Sequence, residues 1–173
     1  PLITTATDST MLFDLVATTS RHTFDNLSLS NTHAVRAPGI SQSSESTPSV
    51  WVYLSILDGH TVAIGGQTGS TRNFPIVHLF DVEIKNCTDG VYGRAPTAFS
   101  SVGSWIHDCT GNAFRASLTG TLWMDRTIIS DVGADGSVGL TNVSVTNSAI
   151  YSAGSDAIEE ATGVGARIAN SIL

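Results

Sequence analysis

Short stretches of alternating apolar and polar residues recur along the chain, each closing on an Asn or Asp. They are Leu27-Ser28-Leu29-Ser30-Asn31, Leu54-Ser55-Ile56-Leu57-Asp58, Val82-Glu83-Ile84-Lys85-Asn86, Ser104-Trp105-Ile106-His107-Asp108 and Thr127-Ile128-Ile129-Ser130-Asp131. Weaker copies follow at Ser148-Ala149-Ile150-Tyr151-Ser152 and Asn170-Ser171-Ile172-Leu173. The central aliphatic falls at 29, 56, 84, 106, 129, 150 and 172, in steps of 27, 28, 22, 23, 21 and 22 residues. A period of two within each stretch predicts a strand with one buried face. A step near 22 residues predicts one coil of a solenoid. The two longer steps require inserts, expected near 37–50 and 65–74, where Pro, Gly, Ser and Thr crowd together.

A second repeat follows each stretch: Cys87-Thr88-Asp89-Gly90-Val91-Tyr92, Cys109-Thr110-Gly111-Asn112-Ala113-Phe114, Val132-Gly133-Ala134-Asp135-Gly136-Ser137 and Ala153-Gly154-Ser155-Asp156-Ala157-Ile158. In each, Gly, Asn or Asp precedes a small residue, the chemistry of a tight turn leading into a buried strand. The expected fold is therefore all-β, a right-handed parallel β-helix of about 6–7 coils of 21–28 residues. One domain spans 1–173, with coils from about residue 11; both ends read as truncated, since the chain opens at Pro1 and stops within a strand motif. Asn31, Asp58, Asn86, Asp108 and Asp131 are expected at one turn of successive coils, because Asn and Asp tolerate left-handed backbone. A leucine-rich repeat has a similar period, but its Asn lies three residues after the last strand leucine, here two, and no helical periodicity separates the strands.

The net charge of −7, with one Lys and seven Arg, lacks the basic stripe that nucleic acid requires. No apolar run is long enough to cross a membrane as a helix. Ser and Thr fill about a quarter of the chain, which fits strands and turns. Three Asn-x-Ser/Thr sequons begin at Asn26, Asn86 and Asn142, two of them at repeat positions expected to be buried. Cys87 and Cys109 stand 22 residues apart, directly after ladder residues. Stacked positions lie about 4.8 Å apart with parallel side-chain vectors, so free buried thiols are expected rather than a disulfide. No metal or other cofactor is expected.

The pattern of aliphatic, any residue, Asn and then Gly-Val resembles the pectate-lyase-like β-helices, a superfamily that includes polysaccharide lyases and hydrolases, adhesins and bacteriophage tailspikes. The opening, Asp8-Ser9-Thr10-Met11-Leu12-Phe13-Asp14-Leu15 running into Phe24-Asp25-Asn26-Leu27-Ser28-Leu29, looks most like the entry to a tailspike-type solenoid. Leu122-Trp123-Met124-Asp125-Arg126 echoes the Trp-x-Asp-His element of pectate lyases, with Arg in place of the His. The paired Asp and the Gly-His-Gly of polygalacturonases are absent. What the resemblance implies is an extracellular or virion-surface protein, trimeric in the manner of tailspikes, that binds and in one version cleaves a polysaccharide. The other version is a non-catalytic structural or adhesive fibre.

Outward positions of the repeated strand place Glu83, Lys85, Trp105, His107 and Tyr151 on one face. An aromatic there can stack on a sugar ring while charged neighbours bond its hydroxyls. Trp105, His107, Tyr151 and Lys85 are the candidate substrate contacts. Glycoside hydrolysis requires paired carboxyl groups, and elimination requires a base beside a cation. Glu83, Asp81 and Asp125 are the candidate acid and base, with Arg126 for charge stabilisation. Carboxylates on a solvated strand face also serve simple solubility, and a subunit contact over Trp105 and Ile128 competes with a sugar groove. Flat Thr-x-Thr columns, which an ice-binding surface requires, are missing.

Overall fold

The structure, a computed structural model, describes residues 2–5, 13–15, 21–32, 38–42, 49–65, 76–94, 97–117 and 119–173. Among them every named strand pairing is parallel and there is no helix: the chain is a parallel β-solenoid. Three ladders run the length of the stack. The first is a seven-stranded sheet, from Leu2–Thr5 through Ser28–Asn31, Ile56–Asp58, Glu83–Lys85, Trp105–Cys109 and Ile128–Val132 to Ala149–Ala153. The second carries Phe13–Leu15, Ile40–Gln42, Val62–Gly65, Asp89–Gly93 and Phe114–Ala116. The third carries Arg21–Asp25, Ser49–Tyr53, Ile76–Phe80, Thr97–Val102 and Gly120–Asp125. The long strand Ser137–Thr146 runs through both of the latter and joins them into one sheet, with Glu159–Ala169 paired outside it.

Inward residues of successive coils stack into columns. Leu29, Leu57, Ile84, Ile106, Ile129 and Ile150 are all fully buried in the first ladder. Val52, Leu79, Ser101, Met124 and Val145 form a column of the third, in which the buried Ser101 hydroxyl bonds Thr127 Oγ1 at 2.9 Å. Burying each large aliphatic stabilises the fold by about 1.5–3 kcal/mol.

Two corners of most coils are single residues in left-handed conformation. After the third ladder these are Asn26, Leu54, Asp81, Gly103, Arg126, Asn147 and Asn170; after the first they are Gly59, Asn86, Asp108, Asp131 and Ser152. The next residue at the former corner is often a buried hydroxyl. Ser55 Oγ accepts from Leu27 N (3.1 Å), Ser104 Oγ from Val82 N (3.2 Å) and Ser148 Oγ from Thr127 N (3.1 Å). Each also donates to the carbonyl two residues back, as Ser148 does to Thr146 at 2.7 Å. At the head of the second ladder Asp89, Asn112 and Asp135 accept from the backbone N–H of Asn112, Asp135 and Asp156 at 2.9, 3.2 and 3.0 Å.

The expected register slips by one residue in one coil. Leu57, not Ile56, aligns with Leu29 and Ile84, and Ile56 faces outward at 37% exposure. Asp58 consequently stands opposite Lys85, and Gly59 takes the left-handed corner expected of Asp58. Neither Asn31 nor Asp58 is left-handed; the expected ladder holds at Asn86, Asp108 and Asp131. The insert expected at 37–50 begins in the core, for Ile40 is fully buried and pairs with Ile64. Its 43–48 stretch, and 66–74 of the other insert, lie outside the described residues. The sequon residues Asn26, Asn86 and Asn142 are exposed, against the expected burial of two of them. Cys87 and Cys109 are free and buried, as expected. Hydrogen bonding between the stacked thiols, reinforced by burial, pushes the Cys87 thiol well up.

The register makes a sharp contrast testable. Leu57→Ala should lose about 2–5 kcal/mol in urea unfolding, the range for a buried leucine, while Ile56→Ala loses less than about 1. Equal losses would contradict the placement.

Candidate functional site

On the outside of the first ladder Glu83 stands opposite Trp105 and Lys85 opposite His107, one coil apart. Parallel pairing brings these four side chains together because the side chains at 83 and 85, and at 105 and 107, point to the same face. Glu83 Oε1 accepts from Lys85 Nζ at 3.0 Å and lies 3.1 Å from His107 Nε2. The other ring nitrogen, His107 Nδ1, lies 2.7 Å from Asp108 Oδ2. A doubly protonated ring satisfies both carboxylates, whereas a neutral ring can donate to only one. The indole of Trp105 lies over the imidazole, ring centres 3.8 Å apart and planes 22° from parallel, and its Nε1 donates to Ser130 Oγ at 3.2 Å.

This packing leaves His107 only 8% exposed and Trp105 44% exposed, so the outward surface belongs to the indole. Tyr151, 49% exposed, follows Ser130 one coil further on. Burial raises the Glu83 carboxyl, but the hydrogen bonds from Lys85 and His107 outweigh it and leave the pKa below the ordinary value. Glu83 is accordingly ionised near neutrality, the state of a base or a charged contact and not of a general acid.

The other candidate residues sit elsewhere. Asp125 and Arg126 form their own pair at the corner between the third and first ladders, Arg126 Nε to Asp125 Oδ2 at 3.2 Å. Asn147 Nδ2 donates to Asp125 Oδ1 at 2.9 Å and Thr146 Oγ1 at 3.3 Å. The Asn147 bond, more than Arg126 or Thr146, holds Asp125 below its ordinary pKa. Asp81 occupies the equivalent corner two coils away and fills the space left by the absent side chain of Gly103. No hydrogen bond or ion pair among the described residues joins Asp81 or Asp125 to Glu83.

Two features escape a reading of the sequence. Asp108, taken as a turn residue, also supplies the second carboxylate on His107. The two carboxyl groups are at most about 8 Å apart, two hydrogen bonds and one ring width, within the about 5–10 Å found in glycosidase pairs. The second feature is an aromatic cluster on the third ladder. Trp51 lies 4.0 Å from His78 and Tyr53 4.9 Å from Phe80, ring centre to ring centre, and Arg21 lies 4.2 Å above the Trp51 ring. Burial, then the Arg21 charge, holds His78 below its ordinary pKa. The signal was there in Trp51-Val52-Tyr53 and His78-Leu79-Phe80, one coil apart with the same alternation.

Among the described residues no cluster of His, Cys, Asp and Glu is arranged to hold a metal ion, and no helix is long and apolar enough to cross a membrane. Comparison with family models, curated proteins and solved structures gave no match. The reading of function rests on the site.

The lowered pKa of Glu83 gives a pH signature. Its ion pairs stabilise the fold above the ordinary carboxylate range, and that contribution disappears as pH falls through the lowered folded value. Unfolding curves of the wild type and Glu83→Gln should differ at neutral pH and draw together as pH falls below the ordinary glutamate range. A gap that persists or widens in acid would mean that Glu83 is not held ionised.

Proposed function

We propose that the solenoid binds a polysaccharide along the outer face of its first ladder, as an extracellular or virion-surface protein related to the tailspike-type β-helices. The observation that carries this reading is the Trp105 indole, half exposed on a face where Glu83, Lys85 and Asp108 offer hydrogen-bonding groups around it. An aromatic platform ringed by fixed charges is the usual chemistry of sugar recognition. In the catalytic version Glu83, ionised beside Lys85, serves as the base. Asp81, Asp125 and Arg126 reach the sugar only from the neighbouring corner, as flanking contacts.

A second reading has its own support. Leu54, Ile56, Trp105 and Ile128 expose apolar surface on or beside the same face, between 37% and 62% each. Apolar exposure of this kind, interrupted by Glu83 between Ile56 and Trp105, also suits a contact between subunits, which would make the chain a non-catalytic shaft of a trimeric fibre.

The test is a binding and reducing-end assay on a panel of capsular and lipopolysaccharide glycans. Trp105→Ala should weaken binding about tenfold or more, and Glu83→Gln should keep binding while abolishing any release of reducing ends. Failure of the wild type to bind any glycan, together with an oligomer that buries Trp105, would establish the fibre reading instead.

A further inference from the structure

One outward column of the third ladder alternates large and small side chains from His78 onward. It reads Trp51, His78, Ser100, Trp123, Ser144 and Arg167. Trp51 and His78 pack against each other. Trp123 differs: it is 46% exposed, no aromatic ring stacks on it among the described residues, and its neighbours above and below are serines. Each short serine leaves a slot beside Trp123, and the slot at Ser144 is walled on its other side by Arg167. The adjoining column, Ala98, Thr121, Asn142 and Gly165, is also small and widens the slots into a trough of about 480 Å³.

Dimensions and charge narrow the occupant. Walls two coils apart are separated by about 9.5 Å, which leaves room for one sugar ring against an indole face. Ser100, Ser144, Thr121 and Asn142 offer hydroxyl and amide groups for hydrogen bonds. Arg167, which makes no ion pair among the described residues, closes one slot with a guanidinium suited to a carboxylate. Asp125, on the same strand as Trp123, is already engaged by Arg126, Asn147 and Thr146.

We infer that this trough is a second glycan site, specific for a polysaccharide with a carboxylate-bearing ring, which sits between the Trp123 indole and the Arg167 guanidinium. The inference rests on the reading of the chain as a glycan binder but uses a different face. The probes are a hyaluronan hexasaccharide, in which glucuronate alternates with a neutral sugar, and the same hexasaccharide with its carboxyl groups reduced. Wild type should bind the acidic form at least tenfold more tightly by calorimetry. Arg167→Gln should bring that ratio close to one while binding of the reduced form stays as it was. Trp123→Ala should weaken both at least tenfold, and Ser144→Phe, which fills a slot on an exposed face without touching the core, should do the same. Equal binding of both probes by the wild type would overturn the charge assignment. Unchanged affinity in Trp123→Ala and Ser144→Phe would overturn the trough, and if Trp105→Ala alone then lost binding the first-face reading would stand. Loss of both readings requires that the wild type bind neither these probes nor the capsular and lipopolysaccharide panel.

Discussion

Everything in this fold depends on one coil lying on the next with its corners in the same place. A coil of 21–23 residues buries nothing alone; its apolar side chains meet only their counterparts above and below. The corners fix that alignment. A single left-handed residue turns the chain, and at one corner a buried Ser hydroxyl accepts the backbone N–H of the preceding coil while donating within its own. Asp89, Asn112 and Asp135 do the same work at the head of the second ladder. Buried backbone groups are costly to leave unpaired, so these side chains make the stacked register the one that satisfies the turns.

The same constraint explains what could be read without coordinates. The ladder at Asn86, Asp108 and Asp131, the inward Ile84, Ile106 and Ile129, and the stacked free thiols all follow from a regular step and a clean alternation. The alternation fails at Leu54-Ser55-Ile56-Leu57, where both parities are apolar. There the register is decided by Gly59 at the left-handed corner and by the Ser55 hydroxyl at the other, neither of which hydrophobicity weighs. The third ladder is apolar at nearly every position of Ile76-Val77-His78-Leu79-Phe80, so its outward aromatics were hidden among core residues. The cluster at Glu83 was half legible: spacing put Glu83, Lys85, Trp105 and His107 on one face, but the Asp108 side chain reaching the imidazole depends on its rotamer. Asp81 and Asp125 were grouped with Glu83 by proximity in the repeat, whereas the corner gives Asp125 partners of its own.

Two outer faces thus differ in kind. The first ladder carries a hydrogen-bonded network, in which an ionised Glu83 is held by Lys85 and His107 under the cover of an indole. The third carries aromatic surface, packed together at Trp51, Tyr53, His78 and Phe80 and opening into slots around Trp123. Both arise from the coil step, since a residue type repeated at one position becomes a column and a change of type becomes a wall or a gap. The proposed glycan recognition is an extension of that geometry.

The chain has three tryptophans, and each reports on a different part of this account. Indole N–H resonances followed during titration with a bound oligosaccharide measure which of them a ligand meets. The account predicts shifts at Trp105 or Trp123, according to the face the sugar occupies, and a Trp51 signal held constant by its packing against His78 and Arg21. A titration that moves Trp51 alone, or saturates without moving any indole, would contradict it.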